Sequence, residues 1–114
     1  MNNSELGRLL DYILKGKSKK ENSPRRNISP RIWGPPGWDF LDKIVEGFPV
    51  RANKTEQQRM LVFLTSLGYV LPCDECRYNY INFTKSNSPK NFVKGRRLVK
   101  KWFLKYREHA KKES

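Results

Sequence analysis

The only two cysteines of the chain, Cys73 and Cys76, are the residues best suited to carry chemistry. They are separated by two residues and directly follow Pro72. Because proline lacks an amide hydrogen and its φ suits the first turn of a helix, a helix is expected to begin at Cys73. The first-turn N–H groups and the helix dipole would stabilise a Cys73 thiolate, the form of cysteine that attacks disulfides. The spacing therefore predicts a redox-active disulfide.

Two other interpretations of this pair stay open. A Cys-x-x-Cys pair can supply half of a zinc site, but zinc takes four ligands and His109 is the only other soft ligand in the chain. One chain cannot complete such a site alone, although two chains could pool their cysteines. The second alternative is a pair of incidental thiols. The sequence predicts the redox pair and no metal site.

The segments around the pair predict an all-helical fold. Apolar residues recur at helical spacing in four segments, and none alternates with the period of two that a half-buried strand shows. The four expected helices run from Pro36 to about Phe48, from Thr55 to Tyr69, from Cys73 to a break at residues 87–89, and from Gly95 to Lys111. They predict a four-helix bundle.

An additional helix is expected before the bundle. Residues 1–14 place five apolar side chains on one helical face, which predicts a short amphipathic helix that packs on the bundle. Residues 15–27 are polar and basic and predict a flexible linker. The expected division is therefore a helix over 1–14, a linker over 15–27 and a bundle domain over 28–114. The apolar residues of the first helix are Leu6, Leu9, Leu10, Ile13 and Leu14.

The formal net charge of +13 is unevenly distributed. Residues 1–30 carry +4, residues 31–76 carry −1 and residues 77–114 carry +10. Such a basic segment suits an anionic partner, such as a nucleic acid, an acidic protein or an anionic lipid. It is equally consistent with the solvated face of the last helix.

No apolar run approaches the roughly 20 residues that a membrane helix requires. Residues 1–6 lack the charged and then apolar pattern of a secretory signal. A single domain in a reducing compartment, the cytoplasm, is therefore expected. This location favours an exchange-active disulfide over a structural one.

Several motifs resemble the Erv/ALR family of FAD-linked sulfhydryl oxidases, in the order in which that family has them. Residues 28–41, Ile-Ser-Pro-Arg-Ile-Trp-Gly-Pro-Pro-Gly-Trp-Asp-Phe-Leu, are similar to its opening segment. Residues 55–60 resemble the start of its second helix, and residues 69–76 resemble its catalytic turn. Trp102 stands where the fourth helix of the family carries a tryptophan. The resemblance covers residues 28–112, and short members opening on Trp-Gly-Pro resemble those that large DNA viruses encode.

The resemblance implies a fold, a cofactor and a reaction. It implies the family's helical bundle, usually as a homodimer, with FAD beside the cysteine pair and a protein dithiol as substrate. Cys73, expected to be the more exposed sulfur, would be attacked by the substrate, and Cys76 would pass electrons to the flavin. Trp38 and Trp102 would wall the flavin, although tryptophans in small helical domains more often fill the core. A viral role would place the protein in the host cytoplasm.

The chain departs from the family pattern at the polar flavin contacts. The family histidine on the first helix is replaced by Asp42, and its His-Asn-x-Val-Asn element corresponds to residues 107–111, with Arg107, Glu108 and Lys111 at the three polar positions. The further cysteines common in the family, a structural disulfide and a shuttle pair, are absent. These differences predict that tight FAD binding is lost. The sequence predicts a thiol–disulfide oxidoreductase; the alternative is a flavin-free scaffold or nucleic-acid-binding module of the same fold.

Overall fold

The computed structural model describes residues 3–14 and 23–113, and over these ranges the chain is helical without strands. The architecture is the predicted four-helix bundle preceded by an additional helix. Five α-helices and one short 3₁₀ helix follow one another: α1 Asn3–Leu14, α2 Pro30–Glu46, α3 Lys54–Val70, α4 Asp74–Ser86, the 3₁₀ helix Pro89–Asn91, and α5 Arg96–Glu113.

Helix α2 begins six residues earlier than predicted, at Pro30 instead of Pro36. Ser29 is its N-cap and accepts a hydrogen bond from the N–H of Arg31, while Pro30 occupies a first-turn position that needs no amide hydrogen. The sequence predicts a helix start at Pro36, yet Pro35 and Pro36 both lie inside the helix. Each of them lacks the N–H that would bond to the carbonyl four residues earlier, so α2 continues through this point without those two main-chain hydrogen bonds.

The boundaries of the remaining bundle helices agree with the sequence prediction to within two residues. Helix α3 is capped by Asn53, whose side chain accepts from the N–H of Glu56 at 2.9 Å while the Glu56 carboxylate accepts from the N–H of Asn53 at 2.8 Å. This reciprocal pair is a capping box. Helix α4 begins directly after Cys73, which is its N-cap residue.

Helices α3 and α4 approach closely at Gly68. A β-carbon added at this position would meet the Tyr80 ring at 2.6 Å and the Ile81 side chain at 3.0 Å. Tyr80 is buried, and its hydroxyl donates a hydrogen bond to the carbonyl of Leu64. The glycine thus leaves room for the Tyr80 ring, through which α4 packs against α3.

The core of the bundle is aromatic. Trp102 and Tyr80 are almost completely buried, and Trp102 contacts Phe83 at a ring-centroid distance of 5.6 Å in an edge-to-face arrangement. Such geometries are favourable for aromatic pairs beyond the burial of their area. The other buried hydrophobic residues are Val45, Phe48, Met60, Leu61, Leu64, Leu71, Val93, Val99, Phe103 and Tyr106.

Helix α1 packs against α3, as predicted. Residues 15–22 of the predicted linker lie outside the described residues, and the division into helix, linker and bundle domain stays a prediction. None of the described helices has the length and hydrophobicity needed to cross a membrane.

Candidate active site

Cys73 and Cys76 form a disulfide at the N-terminus of α4. Cys73 adopts an extended conformation as the N-cap, and its Sγ accepts a hydrogen bond from the N–H of Cys76 at 3.3 Å. The sulfur therefore takes the place that a serine or aspartate oxygen usually fills at a helix start. The same N–H group and the helix dipole would stabilise Cys73 as a thiolate once the disulfide is reduced.

Arg77 holds the turn that carries the disulfide. Its guanidinium donates to the carbonyl of Leu71 at 2.6 Å and forms an ion pair with Asp74. The arginine side chain is 12% exposed, whereas that of Asp74 is 69% exposed. Arg77 therefore joins the residues before Cys73 to the first turn after it, and its charge is partly offset by Asp74.

A segment before α2 crosses the disulfide turn. The side chain of Asn27 accepts from the N–H of Asp74 at 2.9 Å and donates to the Asp74 carboxylate at 3.2 Å. The N–H of Ile28 donates to the carbonyl of Pro72 at 2.7 Å, and Arg25 donates to that of Tyr69 at 3.0 Å. We call residues 25–28 the crossing segment. The sequence assigns residues 25–27 of this segment to the flexible linker. It does not predict these contacts, because they join residues more than 40 positions apart.

The relative exposure of the two sulfurs differs from the prediction. Cys73 was expected to be the more exposed cysteine, but it is 8% exposed and counts among the buried residues, whereas Cys76 is half-buried. Cys73 lies between Pro72 and Asp74, the two residues to which Ile28 and Asn27 of the crossing segment are hydrogen-bonded. Access to Cys73 from solvent therefore depends on the residues around the turn.

Both cysteines line a cleft of about 440 Å³ between α2, α4 and α5. Aromatic side chains form part of its wall, and the indole N–H of Trp33 is tied to the carbonyl of Ile28 at 3.0 Å. Charged groups stand at its edge. The cleft is lined by Pro30, Trp33, Gly34, Trp38, Cys73, Glu75, Cys76, Asn79, Tyr106, Arg107, Ala110 and Lys111.

Trp38 and Arg107 also line two neighbouring clefts, of about 560 Å³ and 240 Å³, so the three form one groove between α2 and α5. The Arg107 guanidinium lies over the Trp38 ring, 4.9 Å from its centroid, and one of its nitrogens is 3.4 Å from the Asp42 carboxylate. Asp42 and Arg107, which the resemblance places at polar flavin contacts of the family, thus contact each other in the middle of the groove.

Trp102, predicted with Trp38 as a wall of the flavin site, lies elsewhere. Its side chain is fully buried, it does not line the cleft, and its indole N–H donates to the carbonyl of Asn87 at 2.8 Å. The core-filling interpretation fits this position. Tyr106 reaches both the core and the cleft: it is 5.8 Å from Trp38 and 4.7 Å from Tyr80 between ring centroids.

Burial raises the pKa of two tyrosines beside this site. Loss of water raises the pKa of Tyr106 from 10.0 to about 12. Burial also raises the pKa of Tyr80, with a smaller contribution from Tyr106. Both side chains are therefore neutral near pH 7.

His109 packs against Phe83, with 5.0 Å between ring centroids. Within residues 3–14 and 23–113, no three histidine, cysteine or acidic side chains are grouped so that they could hold a metal ion. The disulfide is thus the reactive group on which the candidate site is built.

The fold and the disulfide place the chain among helical proteins with a Cys-x-x-Cys pair. The model of the Erv1/Alr family matches residues 36–112, more than half of the chain, and the chain belongs to this family.

Two viral proteins are similar to the chain. A protein of Acanthamoeba polyphaga mimivirus is 40% identical over 53 residues, which cover 46% of this chain and 37% of that protein. A protein of invertebrate iridescent virus 3 is 25% identical over 84 residues, which cover 74% of this chain and 57% of that protein. Both are provisionally named FAD-linked sulfhydryl oxidases. The chain spans less than two thirds of the length of either relative.

FAD has a flat aromatic ring system joined to a diphosphate, so a site for it needs aromatic side chains and positive charge. The cleft offers ring faces from Trp33, Trp38 and Tyr106 next to the disulfide, and Arg107 and Lys111 offer positive charge at its edge. Aromatic walls and cations suit the two halves of such a ligand. The donor set therefore fits FAD, with cations in place of the neutral histidine and asparagine of the family pattern.

Proposed function

We propose that the chain is a thiol–disulfide oxidoreductase that oxidises protein dithiols through the Cys73–Cys76 disulfide. The observation that supports this function is the placement of the disulfide. It lies at the N-terminus of α4 and lines an open cleft, and the Cys73 sulfur accepts a hydrogen bond from an N–H group of the helix. These features favour formation of a thiolate, on which disulfide exchange depends.

The exchange proceeds in two steps. A substrate thiolate attacks Cys73, forms a mixed disulfide with it, and displaces Cys76 as a thiolate that takes up a proton. The second substrate thiolate then attacks the substrate sulfur of the mixed disulfide and displaces Cys73 as a thiolate, which the N–H of Cys76 stabilises. The substrate loses two electrons and two protons; the cysteine pair gains both electrons and, at Cys76, one proton, and the second proton passes to solvent while Cys73 stays a thiolate.

We further propose that Trp38, Tyr106, Arg107 and Lys111 hold FAD in the cleft. When bound, FAD supplies the two-electron acceptor that returns the cysteine pair to the disulfide. The aromatic side chains bind its ring system, and the cations bind its diphosphate. Arg107 has two contacts without the cofactor, with Trp38 and Asp42. Holding FAD in this way would cost part of these contacts, so weaker binding than in the family is expected.

Covalent trapping tests the assignment of the attacked sulfur. The oxidised chain is mixed with a peptide that has one cysteine, and freed thiols are alkylated at once. Cleavage at Asp74, between the two cysteines, then allows mass spectrometry to locate each label. We expect the peptide on Cys73 and the alkyl group on Cys76. The reverse pattern would show that Cys76 is the sulfur that meets the substrate, and no adduct on either would contradict exchange.

The homodimer implied by the resemblance and the cytoplasmic location expected from the sequence stay predictions. A dimer is tested by light scattering of the full chain at several concentrations.

A further inference from the structure

The outward-facing side of α5 carries a row of cations. Five exposed basic residues lie along it, and we call them the α5 basic face. The opposite side of the same helix is buried in the core through Val99, Trp102 and Phe103, so the face has a fixed orientation. The α5 basic face consists of Arg97, Lys100, Lys101, Lys105 and Lys112.

Few acidic groups offset these charges. Helix α5 contains two acidic residues, Glu108 and Glu113; Glu108 lies on the same side of the helix as Lys105 and Lys112, and its carboxylate is 3.9 Å from the Lys111 nitrogen. Within the part of the chain that the structure describes, no member of the α5 basic face takes part in an ion pair. Like charges held on one rigid helix repel one another, so the face is electrostatically suited to a polyanion.

More basic residues extend the face at the start of α5. The N–H of Ala52 donates to the carbonyl of Lys94 at 2.9 Å, which brings the chain at the exposed Arg51 next to the exposed Lys94. The N-terminus of α5, with the positive end of its dipole, lies directly after this pair. Positive potential is therefore concentrated at this end of the molecule.

We infer that the α5 basic face binds the phosphate backbone of double-stranded nucleic acid. The face extends over residues 97–112, roughly 22 Å at the rise of an α-helix, and a duplex presents a phosphate charge about every 1.7 Å along its axis. Its cations can therefore contact several phosphates at once. Contacts to the phosphates alone would not distinguish one base sequence from another.

Two other anionic partners fit this face less well. A single strand is usually held by exposed aromatic rings that stack on its bases, and the aromatic residues of α5 are buried: Trp102, Phe103 and Tyr106. A membrane surface requires a free apolar side, and the apolar side of α5 is occupied by the core. Leu104, 52% exposed, is the large apolar residue that the outer side offers.

The inference does not depend on thiol exchange, because no member of the α5 basic face lies next to the disulfide. It is tested by fluorescence anisotropy of a labelled 20-base-pair duplex with the full chain, over a range of salt concentrations. One variant combines Arg97→Gln, Lys101→Gln and Lys105→Gln. The matched control removes three exposed cations from other elements by Arg26→Gln, Arg59→Gln and Lys85→Gln, so both lose the same formal charge.

We expect the α5 variant to bind the duplex at least about 10-fold more weakly at 100 mM salt. The slope of log affinity against log salt should fall by about 2.7, because each lost phosphate contact contributes about 0.9. The control should stay within about threefold of the unchanged chain. Circular dichroism and the intact disulfide confirm that each variant is folded.

Three results would overturn the inference. Equal loss in both triple variants would mean that the duplex responds to total charge alone. If the unchanged chain does not bind the duplex at 100 mM salt, the α5 basic face does not bind double-stranded nucleic acid. Binding to vesicles with 30% anionic lipid, with duplex binding at least 10-fold weaker, would assign the face to a membrane surface.

Discussion

The guanidinium of Arg107 lies 4.9 Å from the centre of the Trp38 ring, so this side chain covers an aromatic wall of the cleft. The Asp42 carboxylate is 3.4 Å from the same guanidinium. The three side chains therefore form one arrangement: a cation held between an aromatic face and a carboxylate.

The cations at the edge of the cleft should decide whether FAD is retained. Combining Arg107→Ala with Lys111→Ala is expected to lower FAD affinity at least about 10-fold, since charge-assisted contacts to phosphate are each worth roughly 1.5–3 kcal/mol. The measurement is the visible absorption that remains after loading with FAD and desalting.

Lys101→Ala with Lys105→Ala is the control, since both residues are exposed and neither lines the cleft. Equal retention by the two double variants would contradict the role given to Arg107 and Lys111. An unchanged chain that stays colourless after loading would show that the cofactor does not bind.

Removing the side chain of Asn27 should speed the reaction at Cys73. Asn27→Ala deletes both side-chain hydrogen bonds to Asp74 and loosens the crossing segment over the buried sulfur. We expect dithiothreitol to reduce the disulfide several-fold faster, with a loss of about 1 kcal/mol of stability. Stopped-flow kinetics without oxygen follow the reaction.

Ser88→Ala is the matched control for this variant. Ser88 caps the 3₁₀ helix through a hydrogen bond from the N–H of Lys90 at 3.2 Å, far along the chain from the turn. Its loss should cost similar stability without changing the reduction rate. If the two variants react equally fast, the crossing segment does not control access to Cys73.

The buried tyrosines should make the fold sensitive to alkali. The folded-state pKa of Tyr106 is about 12 against 10.0 for an ordinary tyrosine, so the stabilisation from its neutral form is complete below pH 10 and is lost as the pH rises towards 12. The free energy of unfolding should fall by about 1.4 kcal/mol per pH unit for this residue in that window.

Tyr106→Phe should reduce this slope between pH 10 and 12, as measured by urea denaturation at each pH. Tyr69→Phe removes a tyrosine that is only half-buried and serves as the control. A slope that stays unchanged in Tyr106→Phe would mean that another group, such as the buried Tyr80, causes the alkaline loss.

The close approach of α3 and α4 should not tolerate a methyl group at Gly68. Gly68→Ala is expected to destabilise the fold by about 1–3 kcal/mol, because the added carbon would overlap the buried Tyr80 ring. Gly34→Ala is the control within a helix, since a β-carbon there meets nothing within 4 Å. Thermal unfolding of both variants gives the comparison, and equal stability of the two would contradict the predicted clash.

Local signals made much of the fold predictable. Pro72 before the cysteines indicated where α4 starts, and helical periodicity gave the other bundle helices. The predicted start of α2 at Pro36 was wrong because prolines usually mark a helix N-terminus. Here the helix begins at Ser29 and Pro30 and continues through Pro35 and Pro36.

The parts of the site that were not predicted depend on contacts between distant positions. Asn27 and Asp74 are 47 residues apart, and Asp42 and Arg107 are 65 residues apart. No local pattern signals such pairs, so the burial of Cys73 and the ion pair in the groove became visible only with the fold. Trp102 was predicted as part of a cofactor site from its residue type, but its position in the fold is in the core.

The central claim is that the Cys73–Cys76 disulfide oxidises a protein dithiol, and one turnover without oxygen tests it most directly. The oxidised chain is incubated with a reduced protein dithiol, quenched with acid and alkylated, and the thiols in each protein are counted by mass spectrometry. We predict that each chain gains two thiols while the substrate loses two, and that a Cys73→Ser, Cys76→Ser variant causes no change. Substrate that keeps its thiols while the disulfide stays intact would contradict the proposed function.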